Sequence, residues 1–417
     1  MTQAVANETI LTGEAIARRI DDLATLSDDP ECLTRLTLRP AHRKAAGRVS
    51  QWMREAGLDV RIDGLGTVVG RYASADPGAP TLLIGSHIDT VRDAGRYDGN
   101  FGVIAGIAAL DEINRTGVKL PFDIEVLAFG DEEGVRFAST LTGSRAAAGV
   151  FNPAALDDLD ATGQSRREAL LSFGVDPDHA EGEARNPART IGYVELHIEQ
   201  GPILEANNLP IGIVTAINGG IRAEIEARGE SGHAGTQPMN MRRDALTATA
   251  ELMLAVEAIA RAQTHVVATV GRVEALRGAT NTIPGHVRMS LDIRSPDDSL
   301  RNAAMLDVRS AMARIGAARG VSFKLETNYE MPATPCDLTL MSQLEESIRR
   351  LGQTPFYLPS GAGHDAMSFR GILPVAMIFT RCRAGISHNP LEFASPADME
   401  VSTRVLYDFI LSLGKQP

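Results

Sequence analysis

The stretch Thr81-Leu82-Leu83-Ile84-Gly85-Ser86-His87-Ile88-Asp89-Thr90 opens on a short apolar run and closes on a histidine and an aspartate two residues apart. An apolar run of this length reads as a strand buried on both faces of a parallel sheet, here Thr81 to Ile84, with His87 just beyond it. Tyr97-Asp98-Gly99-Asn100 follows, then a helical segment from Phe101 to Asn114, then a second buried strand from Ile124 to Phe129. That strand ends in Gly130-Asp131-Glu132-Glu133-Gly134. Alternating strands and helices indicate an α/β layered domain. Open α/β sheets place ligands beyond the carboxyl ends of their strands, so His87, Asp98 and Glu133 are predicted to converge.

Outward from this core, apolar residues recur at helical spacing from Gly13 to Leu26 and from Ala41 to Gly57, and Asp59 to Ile62 and Val68 to Tyr72 read as strands. Residues Asn152 to Arg189, rich in Asp, Ala, Pro and Gly, read as helix and loop decoration, and a strand from Ile191 to Leu196 delivers His197. Composition shifts at Ile211 to Gly220. Beyond it the pattern is strand (Ala223 to Arg228), helix (Arg243 to Ala262), strands (Val266 to Val273, Val287 to Ile293), helix (Leu300 to Gly316) and strand (Val321 to Thr327). Two helices on one face of a four-stranded antiparallel sheet make an α+β, ferredoxin-like insert. The expected organisation is an α/β catalytic domain, a mixed sheet flanked by helices, at 1–215 and 330–417, interrupted by this unit at 216–329. The run Val375 to Phe379 is another buried strand.

The chain has 417 residues, 44% hydrophobic and 23% charged, which excludes disorder and fibrous classes and suggests more than one domain. A net charge of −12 argues against a nucleic-acid partner, which needs a basic footprint. Met1 to Ile20 has no apolar leader segment and no run reaches the roughly 18 apolar residues of a membrane span, so a cytoplasmic protein is expected. Cys32, Cys336 and Cys382 are widely spaced and odd in number, giving no disulfide framework and no metal knuckle.

Two metal ions need about four terminal ligands and one group spanning both, about 3.5–4 Å apart, so that a shared water is activated. His87, Asp98, Glu133, His197 and His388 meet that count. Four of these have a plainer reading when taken alone: His87 a satisfied core histidine, Asp98 a turn residue, Glu133, with Glu132, an exposed acidic pair, and His388 a loop residue. Asp89 strengthens the metal reading, since a carboxylate beside a ligating imidazole fixes its tautomer. Adjacent residues point in different directions, so Glu133 can ligate while Glu132 faces the water as general base.

The whole chain, from Gly85-Ser86-His87-Ile88-Asp89-Thr90 to Ser387-His388-Asn389-Pro390, resembles the hydantoinase/carbamoylase branch of the aminoacylase and carboxypeptidase-like metallohydrolases. The resemblance implies that Asp98 bridges two metals, that His87, Glu133, His197 and His388 complete the sites, and that Glu132 is the base. It also implies zinc or manganese, with cobalt or nickel compatible with such ligands. In the insert, Ser231-Gly232-His233-Ala234-Gly235-Thr236, Asn281-Thr282-Ile283-Pro284 and Asp292-Ile293-Arg294 resemble lid motifs, in which His233 and Asn281 hold the scissile carbonyl oxygen and Arg294 pairs with a substrate carboxylate. Without the resemblance Arg294 is a strand-end surface charge. Gln200, Gly363 and His364 are substrate contacts by the same analogy, and a homodimer through the insert is implied.

Within the branch, Asp93-Ala94-Gly95-Arg96-Tyr97-Asp98-Gly99 and Asp131-Glu132-Glu133-Gly134-Val135-Arg136-Phe137 are most similar to allantoate amidohydrolases. Hydrolysis of the ureido bond of allantoate is the expected reaction, with a small anionic ureido acid as the partner. The alternatives are an N-carbamoyl-L-amino-acid hydrolase, then an N-acyl amino acid deacylase or peptidase, then a metal-dependent binding protein without turnover. An intact Glu132 argues against the last, since binding alone needs no base.

Overall fold

The computed structural model describes residues 11–415, so residues 1–10, part of the segment expected to lack a leader, lie outside it. The described chain divides into two compact units. One holds the residues through Thr215 with Cys336–Leu358 and Gly363 onward; the other holds Ala216–Pro335 with Pro359–Ala362. The second unit thus runs beyond the expected end at 329 and takes in a short distant segment, because Gly361 and Ser360 hydrogen-bond to Arg294 and Asn218 of that unit.

The sheet of the first unit runs Asp59–Ile62, Val68–Tyr72, Asp123–Phe129, Thr81–His87, Thr190–Ile198, Val375–Thr380, Ile211–Ile217. The four from Asp123–Phe129 to Val375–Thr380 are parallel neighbours, and the outer strands run antiparallel, so the sheet is mixed. Leu82, Leu83, Ile84, Val126, Leu127, Val194, Leu196 and Ile378 are fully buried. Each such side chain contributes about 1.5–3 kcal/mol relative to exposure, which makes this layer a stiff floor for whatever its edges carry. The predicted strands at 81–84 and 191–196 extend further than their apolar runs, through His87 and Ile198. Backbone pairing carries them on, His87 opposite Phe129 and His197 opposite Phe379.

Helix Asn100–Thr116 packs on the sheet with Val103, Ile104, Ile107, Leu110 and Ile113 buried, and stops at Gly117 in the left-handed conformation. Its first turn lies flush against the strands because Gly102 has no Cβ to collide with the Leu196 carbonyl. Among the described residues no helix is long and apolar enough to cross a membrane, and the three cysteines are free.

In the second unit, His286–Ser295 alternates strictly, Val287, Met289, Leu291 and Ile293 buried against helices Ala245–Arg261 and Asp298–Arg319. Gly219–Arg228 and Ser322–Met331 continue the antiparallel sheet. The edge predicted as one strand, Val266 to Val273, is two, Val267–Thr269 and Val273–Ala275, which gives a five-stranded sheet. The ladder breaks where the Arg272 N–H bonds the Ser290 hydroxyl in place of a backbone carbonyl. A separate ribbon pairs Gly232–His233 with Thr282–Ile283.

Candidate metal centre

Strand pairing brings His87 and His197 to the same carboxyl edge of the sheet, facing the loop that carries Asp98. His87 Nε2 lies 3.4 Å and His197 Nε2 3.0 Å from Asp98 Oδ1. On the other side of the same carboxylate, His388 Nε2 is 3.5 Å from Oδ2 and 3.4 Å from Glu133 Oε2. Asp98 is therefore shared by two donor sets, His87 with His197 and Glu133 with His388. Glu132 joins His87 and Glu133 in a third set whose ligand atoms all lie within 4.8 Å of one another.

The imidazoles are preset. His87 Nδ1 faces the Asp89 carbonyl at 3.0 Å and His197 Nδ1 the Ile198 carbonyl at 2.8 Å. A proton donated there leaves each Nε2 as an acceptor on the Asp98 side, that of His197 taking the Gly99 N–H at 3.2 Å. Asp89 acts mainly through its backbone on His87, its carboxylate standing 3.6 Å from the ring. That carboxylate instead accepts the Glu132 and Glu133 N–H groups, each at 3.2 Å. It thereby fixes the loop carrying both glutamates. At Asp98, Gly99 takes φ +66° and packs so closely on the His87 ring that any side chain would collide with it.

Three supporting residues escaped the sequence reading. Glu392, buried, accepts the N–H of Tyr97 at 2.8 Å and of Asp98 at 3.1 Å, while the Ser387 hydroxyl lies 2.6 Å from Asp98 Oδ2 and 2.9 Å from Glu392 Oε2. Arg35, fully buried, donates to the Ile88 carbonyl, to Asn100 Oδ1 and to the carbonyls of Leu23 and Leu26. It ties the segments beside His87 and Asp98 to the first helix. Their neighbourhood offered a signal only for Ser387 and Glu392, which flank His388. Nothing local marks Arg35. The neighbouring acids also have fixed places: Glu195 accepts from Ser86, Tyr193 and the Ala366 N–H, and Glu199 caps Ile203 and Leu204.

The donor set fits divalent cations. Burial, followed by the nearby Asp98, pushes the Glu133 carboxyl well above its usual range, and the same two causes raise Glu392 to about 7. Burial also drives Glu132 well above the usual range, with Glu133, Asp365 and Asp89 adding to it against His87. Carboxyls crowded in and beside the buried floor, around His87, His197 and the half-exposed His388, need positive charge, and cations supply it.

The pattern of the peptidase family M20/M25/M40 matches residues 83–412. The chain belongs to this family. It is 38% identical over 407 residues to an N-carbamoyl-L-amino acid amidohydrolase of Geobacillus stearothermophilus, covering 97% of this chain and 100% of that one. It is 36% identical to an allantoate deiminase of Arabidopsis thaliana, covering 97% of this chain and 83% of the relative. A crystal structure of a hydantoinase/carbamoylase family amidase from Burkholderia multivorans superposes with a TM-score of 0.91 at 33% identity, over 97% of this chain and 98% of that one. The chain is a metal-dependent amidohydrolase.

In this amidohydrolase the remaining candidates divide by unit. Gln200, expected to touch substrate, donates from Nε2 to Asp98 Oδ2 at 2.7 Å. His364, expected to do the same, is buried with its ring edge-on to His197, centroids 4.6 Å apart. Gly363 lies beside Glu132, where an added Cβ would stand 3.7 Å from Oε1. Gln200 and His388 both hold positive φ, +55° and +54°, strain that side chains bear only where the surroundings impose it. In the second unit His233 and Asn281 are neighbours on the ribbon, the Ala234 N–H bonding the Asn281 carbonyl at 2.9 Å. His233 Nδ1 accepts the Gly235 N–H at 3.0 Å, so the neutral ring carries its proton on exposed Nε2. Arg294 is held by Asp292 at 2.9 and 3.0 Å.

Proposed function

We propose that the chain hydrolyses the ureido C–N bond of allantoate, giving ureidoglycine, ammonia and carbon dioxide. The observation that carries the hydrolytic part of this reading is Glu132 standing with His87 and Glu133 beside an aspartate shared by two donor sets, and the likeness to allantoate deiminases supports the substrate. Two divalent cations, zinc or manganese and alternatively cobalt or nickel, held by His87, His197, Asp98, Glu133 and His388, would supply Lewis acidity and an acidified water. Glu132 is placed to take a proton from the attacking water and to return it to the nitrogen that departs from the ureido carbonyl carbon as the C–N bond breaks, and the carbamate left by that cleavage loses carbon dioxide in a second step. His233, through its Nε2–H, and Asn281 steady the carbonyl oxygen as charge develops on it, a contribution of about 3–4 kcal/mol per donor in comparable sites. Arg294 holds the substrate carboxylate. Gly363 leaves room at Glu132, while Gln200 and His364 orient Asp98 and His197. The insert joins a second copy of the chain, which sedimentation distinguishes from a monomer.

Hydrolysis of an N-carbamoyl-L-amino acid has equal support from the relatives, the Geobacillus protein foremost. The choice turns on whether the pocket accepts a second ureido group or an apolar side chain. Ammonia release from allantoate and from N-carbamoyl-methionine, measured on metal-reloaded protein, separates the two. No turnover of allantoate with rapid turnover of N-carbamoyl-methionine overturns the first reading in favour of the second.

A further inference from the structure

The open face of the inserted sheet carries a polar row. Thr269, Asp292, Arg222 and Tyr329 lie side by side across four strands. They face away from the helices, since Ile221, Ala223, Leu291 and Ile293 take the buried positions. Arg294 shares this face, two residues along the strand from Asp292. Its own register neighbours are Val267 and Gly220. Neither offers a polar side chain, so Asp292 is the acid that sets its direction.

The geometry of that pair is specific. Arg294 Nε donates to Asp292 Oδ1 at 2.9 Å and Nη2 to Oδ2 at 3.0 Å, while Nη1 reaches the Gly361 carbonyl at 2.8 Å. Three of the five N–H donors of the guanidinium are used. The side-on fork is filled, and one N–H remains on each terminal nitrogen. Those two nitrogens form the edge that grips a carboxylate bidentately. Asp292 Oδ2 also accepts from Arg222 Nε at 3.2 Å, and Arg222 lies over the Tyr329 ring at 4.9 Å. Asp292, Arg294, Arg222 and Val267 line a groove of about 540 Å³. Two guanidiniums on one carboxylate leave that groove a net positive charge in a chain of net charge −12.

We propose that Asp292 is a positioning residue, which clamps Arg294 side-on so that its terminal edge is presented, already oriented, to the carboxylate of the ureido acid. This rests on the role proposed above for Arg294. An arginine on a free stem would have to be ordered at the moment of binding, and prior ordering removes that cost. Asp292 therefore serves recognition of the acid and takes no part in the bond-breaking step.

The test uses metal-loaded enzyme with whichever of allantoate and N-carbamoyl-methionine it hydrolyses, and the primary carboxamide of that substrate. Steady-state constants are measured for the wild type, Asp292→Ala, Asp292→Asn and Arg294→Met. Asp292→Ala is expected to raise KM for the acid about tenfold with kcat within about threefold, and so to cut the preference for acid over carboxamide about tenfold. Asp292→Asn, which keeps one acceptor, is expected to recover part of the loss. If Arg294→Met abolishes the preference and Asp292→Ala leaves it intact, the positioning role is overturned and the reading of Arg294 stands. An equal loss on acid and carboxamide in Asp292→Ala makes the residue structural and likewise overturns the proposal. A preference that survives Arg294→Met, or turnover of neither acid, overturns the underlying reading as well.

Discussion

The Asp89 carboxylate accepts the backbone N–H of Glu133 at 3.2 Å, while the Asp89 carbonyl faces His87 Nδ1 at 3.0 Å. One residue thus aligns a histidine at the end of one strand and a glutamate in the loop after the next. Asp89→Asn places an amide NH₂ against the N–H of Glu132 or Glu133 and loosens that loop. Partners of this kind are worth 10- to 100-fold in metal affinity or activity. Metal titration followed by elemental analysis should show weaker binding by about that factor, and unaltered affinity together with an unaltered rate would contradict the assignment.

Gly99 is irreplaceable on two counts, a φ of +66° and the His87 ring packed against its Cα. Gly99→Ala is expected to displace His87 or Asp98 and to lower bound metal well below the wild-type level, with the far-UV circular dichroism preserved. Full metal content in this variant would show that the close approach is not needed.

The convergence of these candidate donors was legible because several of them follow buried apolar runs. His87, Asp98 and Glu133 lie within tight loops or at strand ends whose hydrophobic pattern is local, and His197 lies near the end of a strand of the same kind. Arg35, Glu392 and the placing of Gln200 on Asp98 are different. They depend on contacts between loops 53 to 294 residues apart, for which periodicity has no signature. The segment Pro359–Ala362 was missed as part of the second unit for the same reason, its membership depending on backbone bonds to Arg294 and Asn218. The broken edge strand of the insert turned on one serine hydroxyl replacing a ladder bond.

Acid should destabilise the protein in part through His42. Burial, outweighing the nearby Asp89 and helped by Arg35 and Arg136, lowers this ring to about 4, and its Nδ1 accepts the Leu38 N–H. The unfolded chain binds a proton near 6.5 that the folded chain refuses until about 4, so the stabilisation is present above 6.5 and is lost as pH falls through that window. Between pH 7 and pH 5 the linkage amounts to about 2 kcal/mol. Denaturant unfolding of the wild type and of His42→Leu at the two pH values should differ in slope by about that amount. Parallel losses in both proteins would remove His42 as a cause.

In the proposed mechanism Glu132 moves the proton while the neighbouring donors hold the metal. The direct test is ammonia release from allantoate and N-carbamoyl-methionine by wild type and Glu132→Gln, each with its metal content measured on the same sample. Equal metal content and a rate lower by about 10²- to 10⁴-fold, the range of general-base catalysis, are expected in the variant. A Glu132→Gln protein that keeps its metal and hydrolyses either substrate at the wild-type rate would contradict the proposed mechanism.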